Sequence, residues 1–154
     1  VLENSEQKEV PLSRDLKALE LYMQLEAFRL GNKFSYAIHV DKSVDPEDLY
    51  VPPSLLQPLV ENSIWHGIMP QKGNGHIGIF VKNENGMISC VVEDDGVGIK
   101  NEEALNAEKK HASLGMKITR SRVEMLNHVK HSNASIHWYP LENGTRVQVL
   151  LPQV

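Results

Sequence analysis

Cysteine is almost missing from this chain. Cys90 is the only one, so no disulfide can close within it, and one cysteine among scattered histidines gives no structural zinc signature. Cys90 stands in an apolar run and reads as a small buried hydrophobe. An excess of positive charge is also missing. The 16 Lys and Arg stand against 20 Asp and Glu, and the net charge of −4 offers no general attraction for nucleic acid or anionic membranes. No apolar run is long enough to span a bilayer, and no signal-peptide pattern opens the chain. Internal repeats and low-complexity tracts are missing as well. The first residues read VLENSEQ, without Met, and we expect a piece of a longer protein.

What is present is an ordinary globular composition, 41% hydrophobic and 23% charged over 154 residues, enough for one domain with a real core. Residues 1–11 are polar and aperiodic and read as a linker, leaving 12–154 as the domain. A helix is expected from Leu12 to Leu30, with Ser13 as N-cap and Gly31 as stop. Leu12, Leu16, Leu19, Met23, Ala27 and Leu30 make one face, which Leu21, Tyr22, Leu25 and Phe28 widen, as if the helix touched more than one layer or a partner chain. FSYAIHV (34–40) alternates as a strand, with His39 solvated or at an edge. HIGIFVK (76–82) and MISCVVE (87–93) flank Asn85-Gly86, a strong hairpin signal. A charged stretch over 100–112 reads as a mobile loop or short helix, and a helix follows from Leu114 to Asn127, with Leu114, Ile118, Met125 and Leu126 among its apolar positions. Strands at 134–139 and 145–151 are joined by a turn at Asn143-Gly144. This order predicts an α+β fold, a two-layer sandwich with helices on one face of a mixed, mostly antiparallel sheet.

The most informative stretch is LLQPLVENSIWHG, from Leu55 to Gly67. It follows Val51-Pro52-Pro53-Ser54, a natural helix start, with Ser54 offering capping chemistry. Leu55, Leu56, Leu59, Val60, Ile64 and Ile68 form a broad apolar stripe, and Asn62 and His66 share a face at i, i+4. Such a helix is either a core element with satisfied polar groups or part of a site. Asp94-Asp95-Gly96-Val97-Gly98 ends a buried strand. It is either an Asp/Gly surface turn or a carboxylate that accepts from an exocyclic amine, with glycines that let the backbone approach a flat ring or phosphates. Ser113-Leu114-Gly115-Met116 opens a helix, either an ordinary capped start or a cradle for phosphate. Asn62 could lend one amide oxygen to a hard cation such as Mg2+.

In combination, LLQPLVENSIWHG, DDGVGI, SLGMKITRSRVEML and GTRVQVLLP resemble the ATP-binding catalytic domain of sensor histidine kinases, within the GHKL superfamily (Bergerat fold). The similarity is strongest to the autolysin-sensor, LytS-like branch, where the helix typically reads QPLVENAIKHG, and it covers about Leu12 to Pro152. The resemblance implies ATP and Mg2+ as ligands. It implies Asn62 as the magnesium contact, Asp94 at the adenine amine, and Gly96 and Gly98 closing on the nucleotide. Ser113, Leu114, Gly115 and Met116 would lie at the phosphates, Thr145 would back the adenine pocket beside Asp94, and His66 would donate to phosphate. Residues 100–112 would be the ATP lid, with Lys109 and Lys110 as candidate phosphate contacts or a solvated pair, and Glu61 would be a weak candidate base. The implied partners are an upstream dimerisation and phosphoacceptor domain of the same protein, a response regulator, and a second copy in a homodimer. The implied location is the cytoplasmic side of a bacterial inner-membrane protein.

Three positions depart from the branch: Trp65 where lysine is usual, Ser113 for the first glycine of the second glycine box, and Ile118 where asparagine is common. They favour an alternative, a catalytically weak nucleotide switch or interaction module of the same fold. None of the 7 histidines (His39, His66, His76, His111, His128, His131, His137) sits in a phosphoacceptor motif, so the acceptor is expected on another domain.

Overall fold

The computed structural model describes residues 9–98 and 114–152. A short ladder pairs β1 (Val10–Pro11) antiparallel with β3 (Tyr50–Val51). Between them run α1 (Leu12–Arg29) and β2 (Phe34–Val40). Helix α2 (Gln57–Asn62) continues directly into a π-helical segment, Ser63–Ile68. The hairpin β4 (Gly75–Glu84) and β5 (Met87–Asp94) follows, then α3 (Leu114–Lys130), β6 (Ser135–Leu141) and β7 (Gly144–Pro152). The main sheet has 5 strands in the order β2-β4-β5-β7-β6. Only β2–β4 is parallel, because the connection between them crosses over through α2, whereas the other neighbours pair antiparallel. This is the mixed α/β sandwich expected from the element order, with β2 and β6 at its edges.

Strand alternation decides which sheet face the helices cover. Ile77, Ile79 and Val81 of β4, Ile88, Cys90 and Val92 of β5, and Val147, Val149 and Leu151 of β7 are buried in one core with Leu59, Val60, Ile64 and Ile68. His76, Phe80 and Lys82 point to the opposite, open face, where the rings of His39 and Phe80 stack at 5.2 Å. Cys90 is buried in the core as expected, and burial pushes its thiol up to about 12.

Several local expectations change. Pro11, not Ser13, occupies the N-cap of α1. Its first amides are met from the loop before β3: Leu12 N–H donates to Leu49 O and Ser13 N–H to Pro46 O. Gly31 does end α1. It takes φ +67, and the pair Gly31 N–H to Phe28 O and Asn32 N–H to Ala27 O makes a Schellman closure. Leu12, Leu16, Leu19, Met23 and Ala27 are buried and Tyr22 packs partly against the same core, but Leu21, Leu25 and Phe28 stand in solvent, with no second layer over them among the described residues. In α3 the inward positions are Thr119, Val123 and Leu126, whereas Ile118 and Met125 are exposed. Asn85 and Gly86 both take positive φ, 53 and 81, the paired left-handed geometry of a two-residue hairpin turn. The second hairpin is shifted by one: Leu141 pairs with Gly144, so Glu142 and Asn143 turn the chain and Gly144, at φ +114, already begins β7.

Candidate functional site

The helix expected to begin beside Ser54 begins later. Ser54 is no cap; it takes φ +57, and α2 starts at Gln57 with Pro58 in its first turn, where a missing N–H costs nothing. The helix then widens. Met69 N–H donates to Ile64 O at 2.9 Å, an i→i−5 bond that marks the π-helical stretch. π-Helical turns recur where a chain must re-aim functional groups. Here the stretch carries His66 and Gly67 towards the end of the sheet.

Asp94 occupies that sheet end. It continues the inward phase of Ile88, Cys90 and Val92, so a carboxylate stands at what would be the next core position, 4% exposed. Its register partners are Ile77 on β4 and Thr145 on β7, and Thr145 continues the inward phase of Val147 and Val149. Asp94 Oδ1 accepts the Gly96 N–H at 2.9 Å. Glycine backbone surrounds this carboxylate. A β-carbon on Gly67 would stand 2.7 Å from Asp94 Oδ1, and one on Gly96 would overlap the Gly67 backbone. Val97 N–H donates to Gly67 O at 2.9 Å, which fastens the Asp-Gly loop to the π-helical segment. Gly98, at φ +69, lies against Gly144, and a β-carbon on Gly144 would overlap the Asp94 carbonyl. Asp95 turns outward and accepts the His76 N–H at 2.7 Å, so the two adjacent aspartates do different work.

Asn62 and His66 are half-buried, and neither side chain has a hydrogen-bond partner among the described residues. Glu61 accepts from Gln57 Nε2 at 3.3 Å and lies near Tyr22 of α1. The Tyr22 hydroxyl is pushed up to about 12, first by burial and then by the Glu61 and Glu26 carboxylates. Trp65 is 43% exposed, and the Arg29 guanidinium, held by Glu26, lies 5.8 Å from the ring centroid. A cation therefore stands beside position 65 even though its side chain is not lysine. Leu114, Gly115 and Met116 form the first turn of α3, which carries no acidic residue to oppose an anion. Ser113, Lys109, Lys110 and the expected lid over 100–112 lie outside the described residues.

Two glycines and two charged residues acquire roles that sequence reasoning did not assign them. Gly67 and Gly144 were legible only as the end of a motif and as half of a turn. Asp15 and Arg122 converge on the turn before α2 from separate helices, a placement no local pattern reveals.

Residues 52–154 match the model of the family described as histidine kinase-, DNA gyrase B- and HSP90-like ATPase. The chain belongs to this family. The match contains Asn62, Asp94, Gly96, Gly98 and Thr145, and leaves α1 and β2 outside it. The sensor protein LytS of Oceanobacillus iheyensis is 30% identical over 154 residues, covering 93% of this chain and 25% of that protein. The sensor histidine kinase YpdA of Escherichia coli is 29% identical, covering 98% of this chain and 26% of that protein. The ATPase domain described here thus spans about a quarter of the length of the curated relatives it matches. Among solved structures, the catalytic domain of histidine kinase ThkA, in a nucleotide-free form, superposes with a TM-score of 0.67 at 20% identity over 95% of both chains. The histidine kinase domain of a blue-light activated kinase from Erythrobacter litoralis gives a TM-score of 0.65 at 20% identity, covering 94% of this chain and 66% of that one. The ATPase domain therefore has the fold of histidine kinase catalytic domains, and its relatives are sensor histidine kinases. None of its described helices is long and apolar enough to cross a membrane.

Proposed function

We propose that this domain binds ATP with Mg2+ and transfers the γ-phosphoryl group to a histidine on a separate upstream domain, as the catalytic part of a two-component sensor kinase. The observation that carries the reading is the Asp94 carboxylate, set at a core position of the sheet and roofed by the Gly67 and Gly96 backbone instead of side chains. A buried carboxylate among glycines suits an exocyclic amine on a flat ring, since it accepts the hydrogen bond and the neighbouring backbone can approach the ring closely. Thr145, the register partner of Asp94 on β7, would back the adenine beside it. Gly98 keeps the loop close to Gly144.

At the phosphate end, Asn62 and His66 offer an amide oxygen and a ring nitrogen that no described residue uses. The amide oxygen of Asn62 fits a hard cation, and Mg2+ held there would neutralise phosphate charge. The first turn of α3, with Leu114, Gly115 and Met116, would turn its backbone N–H groups to the phosphates, and Ser113 would extend that cradle. Lys109 and Lys110 are further candidates for phosphate contact. Glu61 stands next to Asn62 and is a weak candidate for a base, in a transfer that otherwise depends on positioning and electrostatics. The acceptor domain, a response regulator and a homodimeric parent in a bacterial inner membrane, with this domain on its cytoplasmic side, complete the reading.

The test is calorimetric titration of ATP with and without Mg2+ into this chain and into Asp94→Ala. The wild type is expected to bind more tightly with Mg2+. Loss of a charge-assisted hydrogen bond should weaken Asp94→Ala by about 1.5–3 kcal/mol, roughly ten- to a hundredfold. Equal affinity in the two proteins would overturn the assignment.

A further inference from the structure

The turn that feeds α2 is clamped from two sides by other helices. Asp15, 8% exposed on α1, accepts the Ser54 N–H through Oδ1 at 2.7 Å. Arg122 of α3 donates through Nη1 to Pro53 O at 2.8 Å and to Ser54 O at 2.9 Å. Ser54 itself takes φ +57, a left-handed conformation that costs a non-glycine residue energy and persists only when neighbours impose it. No side chain of α2 caps its own start. The groups that fix the beginning of this helix thus come from residues 39 and 68 positions away.

The site proposed above draws on both helices that meet at this clamp. Asn62 closes α2, and Leu114 and Gly115 open α3. The two helices pack on each other, and hydrogen bonds between them and the adjoining turn add a directional constraint to that packing. Arg122 lies about two helical turns into α3 and grips carbonyls in the turn just ahead of α2, the helix that Asn62 closes. We propose that Arg122 is a positioning residue for the nucleotide site: its grip on the Pro53 and Ser54 carbonyls sets the register of α3 against α2. It thereby sets the spacing between Asn62 and the glycine turn across which a magnesium-bound triphosphate would lie. Asp15 holds the amide side of the same turn. This inference rests on the nucleotide-binding reading and adds a division of labour to it. The adenine end belongs to β5 and β7, whose pairing does not involve Arg122, so the clamp governs the triphosphate and not the base.

The experiment compares Mg-ATP and adenosine binding, by NMR titration of the folded chain, in wild type, Arg122→Met and Arg122→Lys, with melting temperatures recorded for each. Methionine keeps an unbranched stem and removes the donors; lysine restores a cation with several N–H groups. Arg122→Met should lose about tenfold in Mg-ATP affinity, the size expected for charge-assisted hydrogen bonds, while adenosine affinity stays within about twofold. Arg122→Lys should recover part of the Mg-ATP affinity. If Arg122→Met does not fold, Asp15→Asn loosens the same turn from α1, and the expected selective loss is about threefold because an amide oxygen still accepts the Ser54 N–H. Equal loss of both ligands, or loss of neither, overturns the positioning role, since a general loosening would not spare adenosine. A wild-type chain that binds neither ligand overturns the nucleotide reading itself, a pattern distinct from either result in the variants.

Discussion

Gly67 lies over Asp94 so closely that a methyl group between them has no room: a β-carbon on Gly67 would stand 2.7 Å from the carboxylate Oδ1. The helix carrying Asn62 and the strand carrying Asp94 meet at this point through one missing side chain. Gly67→Ala should therefore displace the Asp94 carboxylate. The expected outcome is a fall in ATP affinity of about tenfold or more, as for a lost hydrogen bond to a charged group. Circular dichroism should remain that of a folded domain, and calorimetry reads the affinity.

Gly144→Ala should act on stability first. The added β-carbon would overlap the Asp94 carbonyl, and φ +114 is poorly accessible to alanine. A loss of about 3 kcal/mol or more is expected, combining backbone strain with a steric clash inside the sheet. Urea denaturation measures it, and a loss below about 1 kcal/mol would show that β7 can move away from β5 at little cost.

Asn62→Ala should separate magnesium from nucleotide. The side chain has no partner among the described residues, so its removal orphans nothing there and should change stability by only about 0.5 kcal/mol. ATP affinity in EDTA is expected to match the wild type, whereas the gain on adding Mg2+ disappears. A retained magnesium effect would remove Asn62 from the role of metal contact.

Cys90 should be chemically silent. Its thiol is fully buried and shifted up to about 12, so at pH 8 roughly one molecule in ten thousand carries the thiolate. Iodoacetamide should label the chain only as fast as it unfolds, and at once in denaturant. Rapid labelling of the native protein would mean that the strands β4, β5 and β7 open locally around it.

The sheet and the main helices were legible because their signals are local. Asn85-Gly86 specifies its turn through two residues that accept positive φ, and Gly31 ends α1 for the same reason. Asp94 was legible as a strand end followed by glycines, and the structure adds that it keeps the inward phase of Cys90 and Val92. What could not be read locally depends on distant partners. Ser54 looks like a helix cap, yet the turn is held by Asp15 and Arg122, brought near only by folding. Gly144 looks like a turn residue, yet its missing side chain makes room for the Asp94 carbonyl in the neighbouring strand. Phe28 fits the apolar period of α1 but stands 82% exposed, because periodicity reports amphipathicity and not what covers each face.

The π-helical segment Ser63–Ile68 has a consequence for chain length. An i→i−5 ladder holds one residue more per hydrogen-bonded loop than an α-helix does, so this stretch behaves as an α-helix with an insertion absorbed into it. Deleting one residue between Ser63 and Gly67 would relax the ladder to ordinary α geometry, at little cost in hydrogen bonds. It would also remove the wide turn itself, and with it the re-aiming that carries His66 and the Gly67 backbone towards Asp94. A shortened chain of this kind would keep its helix and its sheet and lose the junction between them. Length at this position is therefore as strict a requirement as any residue identity in the site.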